Sequence, residues 1–401
     1  MKTMTKRILT WLAAGALAAG MSGCGAPAQD AQTTAAPQGD GSASGAKEVL
    51  IGGIGPLTGD YANYGTAARN GAQIAVDEIN AAGGVNGMKL VLNYQDSAGD
   101  PDSAVAAYGK LIDQGMDVSL GGVLSGENAS IVAAAKQDGL LVLTPSASAD
   151  AAITGNDSAF RVCFTDSSQG AASADYIANN QLATEVAVFY QSDIDYSVGL
   201  YRAFEAQCQA SNITIKEVQT FTKDTSTDFS TQINAIKDSG AKLVFIPIYA
   251  AEASTFLTQA AGKLPEGTVY FGCDGLDGIL GKVSDPAVAE NVMLLTPFAA
   301  DDPAENVQAF VKAYKQANGG AAPDQFAADG YDAVYAVKAA MEKAGVTDPA
   351  EADFSSKLVA AMTEITVDGV TGTMTWTAEG ETVKAAKAMI IHDGAAVLYT
   401  K

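Results

Sequence analysis

Histidine is almost absent from this chain, and its scarcity limits the chemistry that the protein can perform. The single histidine is His392, in an apparent strand near the C-terminus. A Ser-His-Asp or Cys-His catalyst would have to use this one residue, and a His-ligated metal site is nearly excluded. We therefore expect His392 to be a structural residue that faces solvent, and we predict neither catalysis nor a bound metal or cofactor.

Cysteine is also rare and is not arranged in pairs. Apart from Cys24, the sequence has only Cys163, Cys208 and Cys273, which are widely spaced and include no CxxC motif. An odd number of cysteines at this spacing predicts neither a disulfide framework nor a zinc site. We expect all three to be small buried apolar residues.

Basic residues are few, and acidic residues outnumber them. The chain has 24 Lys and Arg against 46 Asp and Glu, which gives a formal net charge of −22. A surface of this sign repels phosphate groups, so nucleic acid and anionic membrane surfaces are poor partners.

Long hydrophobic runs are missing except at the N-terminus, where the run is short. A basic start precedes the apolar stretch Ile8–Ala19, and Met21-Ser22-Gly23-Cys24 follows it. This order predicts a secretory signal peptide over residues 1–23. A permanent transmembrane helix is disfavoured, because spanning a bilayer takes about 20 apolar residues.

Cys24 directly follows small residues, as in a bacterial lipobox, where a peptidase cuts before the cysteine and its sulfur then carries diacylglycerol. The residues that follow, to position 46, are mainly Ala, Gln, Thr, Pro, Gly and Ser, which bury too little surface to offset the entropy of ordering. We expect residues 24–46 to be a lipidated flexible tether that anchors an extracytoplasmic protein to the outer face of a bacterial cytoplasmic membrane. If Cys24 is not acylated, this segment is simply a disordered terminus.

The rest of the chain, about 355 residues, exceeds the size of a single core and predicts two lobes. Apolar runs of strand length alternate with segments of helical period, which is typical of βαβ units in parallel sheets. Each of two groups of strands could form one doubly wound lobe. The predicted strands are Val49–Gly55, Lys89–Gln95, Val118–Leu124 and Leu140–Thr144, then Val186–Tyr190, Ile213–Phe221, Leu243–Ile248, Val269–Gly272 and Val292–Thr296.

The segment Pro303–Met362 differs, because it contains three helical stretches and no strong strand. Two strand-like pieces, Gly372–Trp376 and Ala388–Tyr399, come after it. If the helices belong to the first lobe and the final strands to the second, the chain crosses between lobes several times and forms a multi-strand hinge. The predicted first lobe is 47–166 plus 297–373, and the predicted second lobe is 167–296 plus 374–401.

The loop Gly53–Gly59 follows the first predicted strand and superficially resembles a dinucleotide loop. Its spacing is G-x-G-x-x-x-G rather than G-x-G-x-x-G, and Pro56 lacks the N–H that a phosphate would need. We interpret the loop as a βα turn at the rim of a cleft, into which Tyr61 and Tyr64 project.

A second loop, Gly121–Asn128, ends a strand and opens a helix. Ligands bind at such strand ends, and a helix N-terminus favours an anion, so Ser125 is placed to hold a carboxylate. Ser125 could equally do no more than cap its own helix. It is not a nucleophile elbow, because Val123 stands where the G-x-S-x-G pattern needs glycine.

The next predicted strand ends in Thr144-Pro145-Ser146-Ala147-Ser148, where small residues leave carbonyls and hydroxyls uncovered for an ammonium group. In the second half, Tyr196, Tyr249 and Asp274 also follow or end predicted strands. An acid that faces a helix N-terminus across a cleft suits a zwitterion, since each ligand charge needs a partner once water is excluded. Taken singly, each tyrosine could be a core ring and Asp274 a turn or helix cap.

Motifs spread over nearly the whole chain after the tether carry a family resemblance. They are Gly55–Gly59, Tyr64-Gly65, Gly71–Gln73, Asp77–Gly87, Asp96 with Asp100-Pro101, Leu143–Pro145, Asp228–Ser230 and Gly369–Gly372. The segment Asn80–Gly87 is the most specific part. With these motifs the chain resembles the type I periplasmic binding proteins of the leucine/isoleucine/valine-binding branch. The resemblance implies an α/β fold of two doubly wound parallel-sheet lobes that close on a ligand.

The resemblance also implies roles for residues at matching positions. By similarity, Ser125 and the Ser148 backbone would hold the ligand carboxylate, while the Ser146 carbonyl, the Ser148 hydroxyl and Asp274 would hold the ammonium. The remaining implied ligand-binding residues are Ala147 in the same loop, Tyr196 and Tyr249 from the second lobe, and Tyr64, Leu124 and Phe326 around the ligand side chain.

Three positions depart from the family pattern. Asp274 stands where the best-known members have Glu, so its carboxylate reaches less far or a water fills the gap. Ser148 replaces Thr, which is a small change. Ala98 and Leu124 occupy what look like the positions of a disulfide found in some relatives.

We therefore expect the substrate-binding lipoprotein of an ABC importer, a monomer that captures a branched-chain or other apolar amino acid and presents it to a membrane permease. A sensory ectodomain of the same fold is the first alternative; it would normally continue into a membrane helix and a signalling module, whereas this sequence ends at Lys401. A binding protein for a different small solute is the second. An enzyme is disfavoured by the scarcity of histidine.

Replacing Cys24 by Ala tests the lipid anchor. We expect the variant to fold normally and to leave the membrane fraction, because it lacks the sulfur that carries the acyl chains. Immunoblots of membrane and soluble fractions measure the change, and Cys208→Ala is the matched control that stays with the membrane. Retention of Cys24→Ala in the membrane fraction would contradict lipidation at this residue.

Overall fold

The computed structural model describes residues 46–399. The predicted signal peptide, Cys24 and almost all of the predicted tether lie outside the described residues. Within 46–399, no helix combines the length and the hydrophobicity needed to cross a membrane.

The first sheet is parallel and is built from the N-terminal part of the described chain. Its strands are β1 (Glu48–Gly55), β2 (Lys89–Asp96), β3 (Val118–Ser119), β4 (Val142–Thr144) and β5 (Ala159–Arg161), and its helices are α1 (Ala62–Ala81), α2 (Pro101–Asp113) and α3 (Ser125–Ala135). The strand order is β2-β1-β3-β4-β5. Successive residues of β1 are buried, as expected for a parallel strand covered by helices on both faces.

The second sheet has five parallel strands and an antiparallel pair at one edge. The parallel strands are β6 (Glu185–Gln191), β7 (Thr214–Phe221), β8 (Leu243–Phe245), β9 (Val269–Gly272) and β10 (Val292–Thr296), with helices α4 (Asp166–Asn179), α5 (Asp195–Ala210), α6 (Ser230–Ser239) and α7 (Ala250–Ala260). The edge pair is β13 (Lys387–His392) and β14 (Ala395–Leu398), and the order is β14-β13-β10-β9-β8-β6-β7.

The edge pair replaces what the sequence predicted as one strand-like piece, Ala388–Tyr399. Asp393 and Gly394 separate the two strands and adopt φ angles of 49° and 71°. Two positive φ angles in a two-residue loop are the geometry of a tight hairpin turn, which Asp-Gly favours. The end of the chain therefore folds back on itself and pairs antiparallel with β10.

The helical segment that follows β10 packs in part on the first sheet. It contains α8 (Glu305–Ala317), α9 (Gln325–Ala344) and α10 (Phe354–Met362), followed by a small antiparallel pair, β11 (Val367–Gly369) and β12 (Gly372–Met374). Buried apolar residues of α9 and α10 share one core with β1, β2 and α1. The backbones of α1 and α9 touch, since a Cβ added to Gly71 would lie 1.8 Å from the Ala327 oxygen. Only glycine permits this approach.

The chain passes from one sheet to the other three times: between β5 and α4, between β10 and α9, and between β12 and β13. Arg161, at the end of β5, contacts the third crossing. Its guanidinium is fully buried and lies 3.0 Å from the Glu381 carboxylate. Farther along this crossing, Lys384 lies 3.8 Å from Asp329, and both side chains are fully buried. Buried charges of opposite sign thus lie between the third crossing and the first lobe.

The predicted strands of the two sheets are present, and the largest differences from the predicted bounds are at two strand ends. β9 and β10 have the predicted bounds, whereas the strand predicted at Val118–Leu124 ends at Ser119 and that predicted at Leu243–Ile248 ends at Phe245. In the first case Gly121 takes a φ of +60° and turns the chain out of the sheet. Short β5 and β11 were not predicted, because three residues show no periodicity.

The predicted exposure of His392 and the predicted burial of the three cysteines are confirmed. Cys163, Cys208 and Cys273 are buried and unpaired. His392 is exposed, and its Nδ1 lies 2.7 Å from a Glu290 carboxylate oxygen. This hydrogen bond raises the pKa of the imidazole. His392 therefore has a structural role at the surface, where it links β13 to the loop before β10.

Arg161→Met should lower the free energy of unfolding by about 3 kcal/mol or more, because it leaves Glu381 and several buried carbonyls without their donor. Urea denaturation measures this loss. The matched control is Lys338→Met, which removes one positive charge from the exposed pair with Glu342 and should change stability by less than about 1 kcal/mol. Equal midpoints for the two variants would show that the buried guanidinium does not hold the hinge.

Candidate functional site

The predicted ligand-binding residues converge where the carboxyl ends of strands from the two sheets face each other. All of them are buried: Tyr64, Leu124, Ser125, Ser146, Ala147, Ser148, Tyr196, Tyr249, Asp274 and Phe326. The first sheet contributes the loops after β3 and β4, and the second sheet contributes the loops after β6, β8 and β9. The site therefore lies in the cleft between the two lobes.

Ser125 is the first residue of α3, as the sequence predicted. The Glu127 carboxylate accepts from the Leu124 N–H at 3.2 Å and from the Ser97 hydroxyl at 2.6 Å, which fixes the loop in front of the helix. Burial raises the pKa of Glu127 to about 7. The Ser125 oxygen accepts from the Ala149 N–H at 3.1 Å, so its own hydrogen is left to donate. A donor at a helix N-terminus suits an anionic group.

The loop after β4 is shaped by its own small polar residues. The Ser146 hydroxyl donates to the Val123 oxygen at 2.8 Å, and the Ala147 N–H donates to the Thr144 hydroxyl at 3.0 Å. The Arg161 guanidinium donates to the carbonyls of residues 147, 148 and 149 at 2.8–3.1 Å. The Ala147 backbone is therefore occupied within the loop, and what this loop can offer a ligand is chiefly the Ser146 carbonyl and the Ser148 polar groups.

Asp274 anchors the second-lobe side of the cleft. It begins a short 3₁₀ turn directly after β9. One carboxylate oxygen accepts from the Tyr196 hydroxyl and from the Gly275 N–H, both at 2.8 Å, and the other accepts from the Gln169 amide at 3.1 Å. Burial raises the pKa of Asp274, although these hydrogen bonds oppose the shift. A buried acid this well oriented can receive a cationic group.

Aromatic rings close the cleft around these polar groups. The Tyr196 and Tyr249 rings stack with centroids 4.5 Å apart and planes at 6°. The Tyr64 ring packs on Phe326 with centroids 4.4 Å apart. Together with Leu124 these rings form an apolar surface beside Ser125 and Asp274.

Tyr64 also joins the two lobes directly. Its hydroxyl donates to the Gly275 oxygen at 2.6 Å and accepts from the Ala250 N–H at 2.7 Å. The Tyr61 hydroxyl donates to the Glu252 carboxylate at 2.7 Å in a second contact across the cleft. The sequence predicted both tyrosines in the cleft but did not predict these contacts, because each partner lies about 200 residues away.

Sequence reasoning missed two polar residues of the site, Asp166 and Gln169. Both lie in the first turn of α4, immediately after the first crossing between the sheets, and both are fully buried. Gln169 holds Asp274 on two sides, since its oxygen also accepts from the Asp274 N–H at 3.2 Å. The sequence does contain a signal for them. The polar run Thr165–Gln169 lies at the start of a helix and next to a predicted crossing between the lobes.

Two cavities adjoin this region. One of about 340 Å³ opens at the mouth of the cleft and is lined by Tyr61, Leu124, Glu127, Tyr196, Lys223 and Tyr249, among others. The other, of about 470 Å³, lies on the far side of the Asp274 turn, between β10, β13 and the start of α9. The smaller cavity shares Leu124, Tyr196 and Tyr249 with the predicted site, so it is the one that leads to it.

Metal-binding potential is low in the part of the chain that the structure describes. Glu290, His392 and Asp393 are the one group of three ligand-type side chains close enough to share an ion. This group is at the surface, far along β13 from the cleft, and the hydrogen bond between His392 and Glu290 explains its arrangement.

Comparisons with known proteins agree with this arrangement. The family model described as periplasmic binding protein matches residues 48–392. The Leu/Ile/Val-binding protein homolog 3 of Brucella melitensis is 31% identical over 308 residues, which cover 76% of this chain and 82% of that protein. The leucine-, isoleucine-, valine-, threonine-, and alanine-binding protein of Pseudomonas aeruginosa is 28% identical over 84% of this chain and 87% of its own length.

A solved structure shows the same architecture. The branched-chain amino acid transporter substrate binding protein LivJ of Streptococcus pneumoniae, in complex with isoleucine, matches with a TM-score of 0.79 at 28% identity and covers 88% of this chain and 99% of that chain. Two α/β lobes with a cleft between them and a family match over almost all of the described residues lead to one conclusion. This chain belongs to the periplasmic binding protein family.

Proposed function

We propose that this protein is the extracytoplasmic substrate-binding component of an ABC importer and that it captures an amino acid, branched-chain or otherwise apolar, between its two lobes. The observation that carries the proposal is the pairing of opposite polarities across one buried cleft. Ser125, buried at the start of α3, would face the cleft from the first lobe, and the Asp274 carboxylate, which accepts from Tyr196, would face it from the second. A zwitterion needs both partners at once.

The two ends of the amino acid would be held by different lobes. The carboxylate would accept from the Ser125 hydroxyl and from N–H groups at the start of α3 and in the Ser148 loop, where the helix dipole adds to the attraction. The ammonium would donate to Asp274, the Ser146 carbonyl and the Ser148 hydroxyl. Binding would therefore pull the lobes together, because neither lobe alone satisfies both charges.

The surroundings of the clamp favour an apolar side chain. Tyr64, Leu124 and Phe326 form the apolar surface next to it, and the stacked Tyr196 and Tyr249 rings cover it from the second lobe. The relatives described above are named for leucine, isoleucine and valine binding. These features support a branched-chain or similar amino acid as the ligand.

The proposal extends to the lobes and to the membrane. The lobes would be residues 47–166 plus 297–373 and residues 167–296 plus 374–401, a division supported by the sheet to which each strand belongs. The protein would act without catalysis, as a monomer, and would be tethered by a lipid on Cys24, as the N-terminal sequence predicts. Its closed form would dock on a membrane permease, and it would use no cofactor.

A thermal-shift screen with the twenty amino acids tests the function. At a concentration 100 times its dissociation constant, a ligand adds about 2.7 kcal/mol to stability, which raises the melting temperature measurably. We expect leucine, isoleucine or valine to give the largest shift, and benzoate and glucose, as unrelated solutes, to give none. A protein that none of the twenty amino acids stabilises would not be an amino-acid receptor.

Asp274→Asn tests the clamp. Because the closed cleft excludes water, losing the charge leaves the ligand ammonium poorly paired, at a cost of about 2 to 5 kcal/mol, so affinity should fall at least about thirtyfold. Titration calorimetry measures the change, and N-acetylated ligand should bind poorly to the original protein. The matched control is Asp138→Asn, which alters a Tyr–Asp hydrogen bond with Tyr108 outside the cleft and should leave affinity unchanged. Equal affinities of Asp274→Asn and the original protein would refute the clamp.

A further inference from the structure

The cavity of about 470 Å³ has no role in the function proposed above. It shares no lining residue with the cavity at the mouth of the cleft or with the predicted ligand-binding residues. Its volume is that of a small-molecule site, for which about 300 to 1,000 Å³ is usual. The apolar side chains that line it include Leu276 and Ile279 after β9, Leu294 in β10, and Met389 and Ile391 in β13. The cavity can therefore take the apolar part of a small molecule.

Two acidic side chains, Asp277 and Asp324, line the same cavity and come from different parts of the chain. Asp277 follows β9, and its carboxylate accepts from the Gln325 N–H at 2.8 Å and from the Gly278 N–H at 2.9 Å. Asp324 caps α9, where one of its oxygens accepts from the Ala327 N–H at 3.0 Å. Its other oxygen would lie 3.3 Å from a Cβ added to Gly278. The two carboxyl groups therefore lie close together at the start of α9.

The charge of this acid pair is not balanced within the cavity. No Lys, Arg or His is among the described residues that line it. Burial raises the pKa of Asp277 to about 6, with Asp274 acting in the same direction. Burial and the charge of Asp277 raise the pKa of Asp324 to about 7. Two neighbouring buried acids ionise only at a cost, which a cation placed beside them removes.

Asn63 gives a separate indication of a ligand at the same place. It belongs to α1 and lines the cavity, and both polar atoms of its amide are buried without a hydrogen-bond partner in residues 46–399. Its amide nitrogen would lie 3.7 Å from a Cβ added to Gly278, so the amide is beside the acid pair. Leaving a buried polar group unpaired costs about 1 to 3 kcal/mol, so such a group calls for an explanation. The amide oxygen is an acceptor that is available to a donor in the cavity.

We propose that this cavity is a second binding site, which takes a small organic cation made of an ammonium group and an apolar body. The ammonium would donate to Asp277, Asp324 and the Asn63 amide oxygen, and three acceptors match its three N–H donors. The apolar body would lie against the side chains from β10 and β13. The inference goes beyond the proposed function, because it uses none of the residues assigned to the amino acid.

The chemistry of the cavity separates this cation from two other ligands. A free amino acid would bring a carboxylate, which the two acids repel. A metal ion would leave the apolar walls without a contact. The ligand class is therefore an amine that has no carboxylate.

The first experiment compares probes on the original protein by titration calorimetry at pH 8, where both carboxyl groups are ionised. The probes are 3-methylbutylamine, the neutral 3-methylbutan-1-ol of the same skeleton, and calcium chloride. We expect the amine to bind at one site and the alcohol to bind at least about tenfold more weakly. Saturating the protein with an amino acid that the thermal-shift screen selects should leave amine binding in place, because the two sites are separate.

The second experiment locates the site with variants. Asp277→Asn and Asp324→Asn remove one charge each, and Asn remains a good cap for α9. Gly281→Leu keeps both acids and fills space, since a Cβ at this lining position would have no heavy atom within 4 Å. We expect each of these variants to bind the amine at least about tenfold more weakly, and the control Asp138→Asn to bind it as the original protein does. If an Asp variant does not fold, Gly281→Leu decides.

Several results would overturn the inference: no amine binding by the original protein, equal affinities for amine and alcohol, tighter binding of calcium than of the amine, displacement of the amine by the amino acid, or unchanged amine affinity in every folded cavity variant. The proposed function fails separately. A protein that binds the amine at Asp277 and Asp324 but none of the twenty amino acids would retain this site and lose the amino-acid assignment.

Discussion

The buried Asp274 carboxylate is the constraint on which the cleft depends. A charge removed from water is tolerated only where donors surround it, and here the donors come from three separate elements: Tyr196 in α5, Gln169 in α4 and the N–H of Gly275. Each of these elements must therefore be placed correctly for the second lobe to be stable. The same hydrogen bonds fix the orientation of the carboxylate, on which the proposed site depends.

In the first lobe, the loop after β4 has polar groups that are not used within the loop, and it is nevertheless held in place by hydrogen bonds. Arg161 does this by donating to three successive carbonyls of the loop after β4. The same guanidinium reaches Glu381 on the third crossing between the lobes. The loop that would face the ligand and a hinge strand are therefore fixed to one side chain. This arrangement offers a physical route by which closure of the lobes and the shape of the site affect each other.

Side-chain hydrogen bonds also join the two lobes directly across the cleft. The Tyr64 hydroxyl bridges Gly275 and Ala250, and Tyr61 reaches Glu252. These few hydrogen bonds are worth about 1 kcal/mol each when they replace bonds to water. They bias the lobes toward closure, and the ligand's two charges would supply the remaining free energy.

The sequence by itself determined much of the fold and part of the site. Strand-length apolar runs and helical periods predicted the bounds of β9 and β10, because those patterns depend on burial alone. Ser125 and Asp274 could be proposed as site residues because each follows a predicted strand, and the loops after neighbouring strands of a parallel sheet lie at the same edge. Only the tertiary structure decided that Gln169 holds Asp274 and that Tyr64 bridges the lobes. Those relations join residues about 100 to 200 positions apart, as with the 105 between Gln169 and Asp274, and no local pattern records which distant groups will share one water-free cleft.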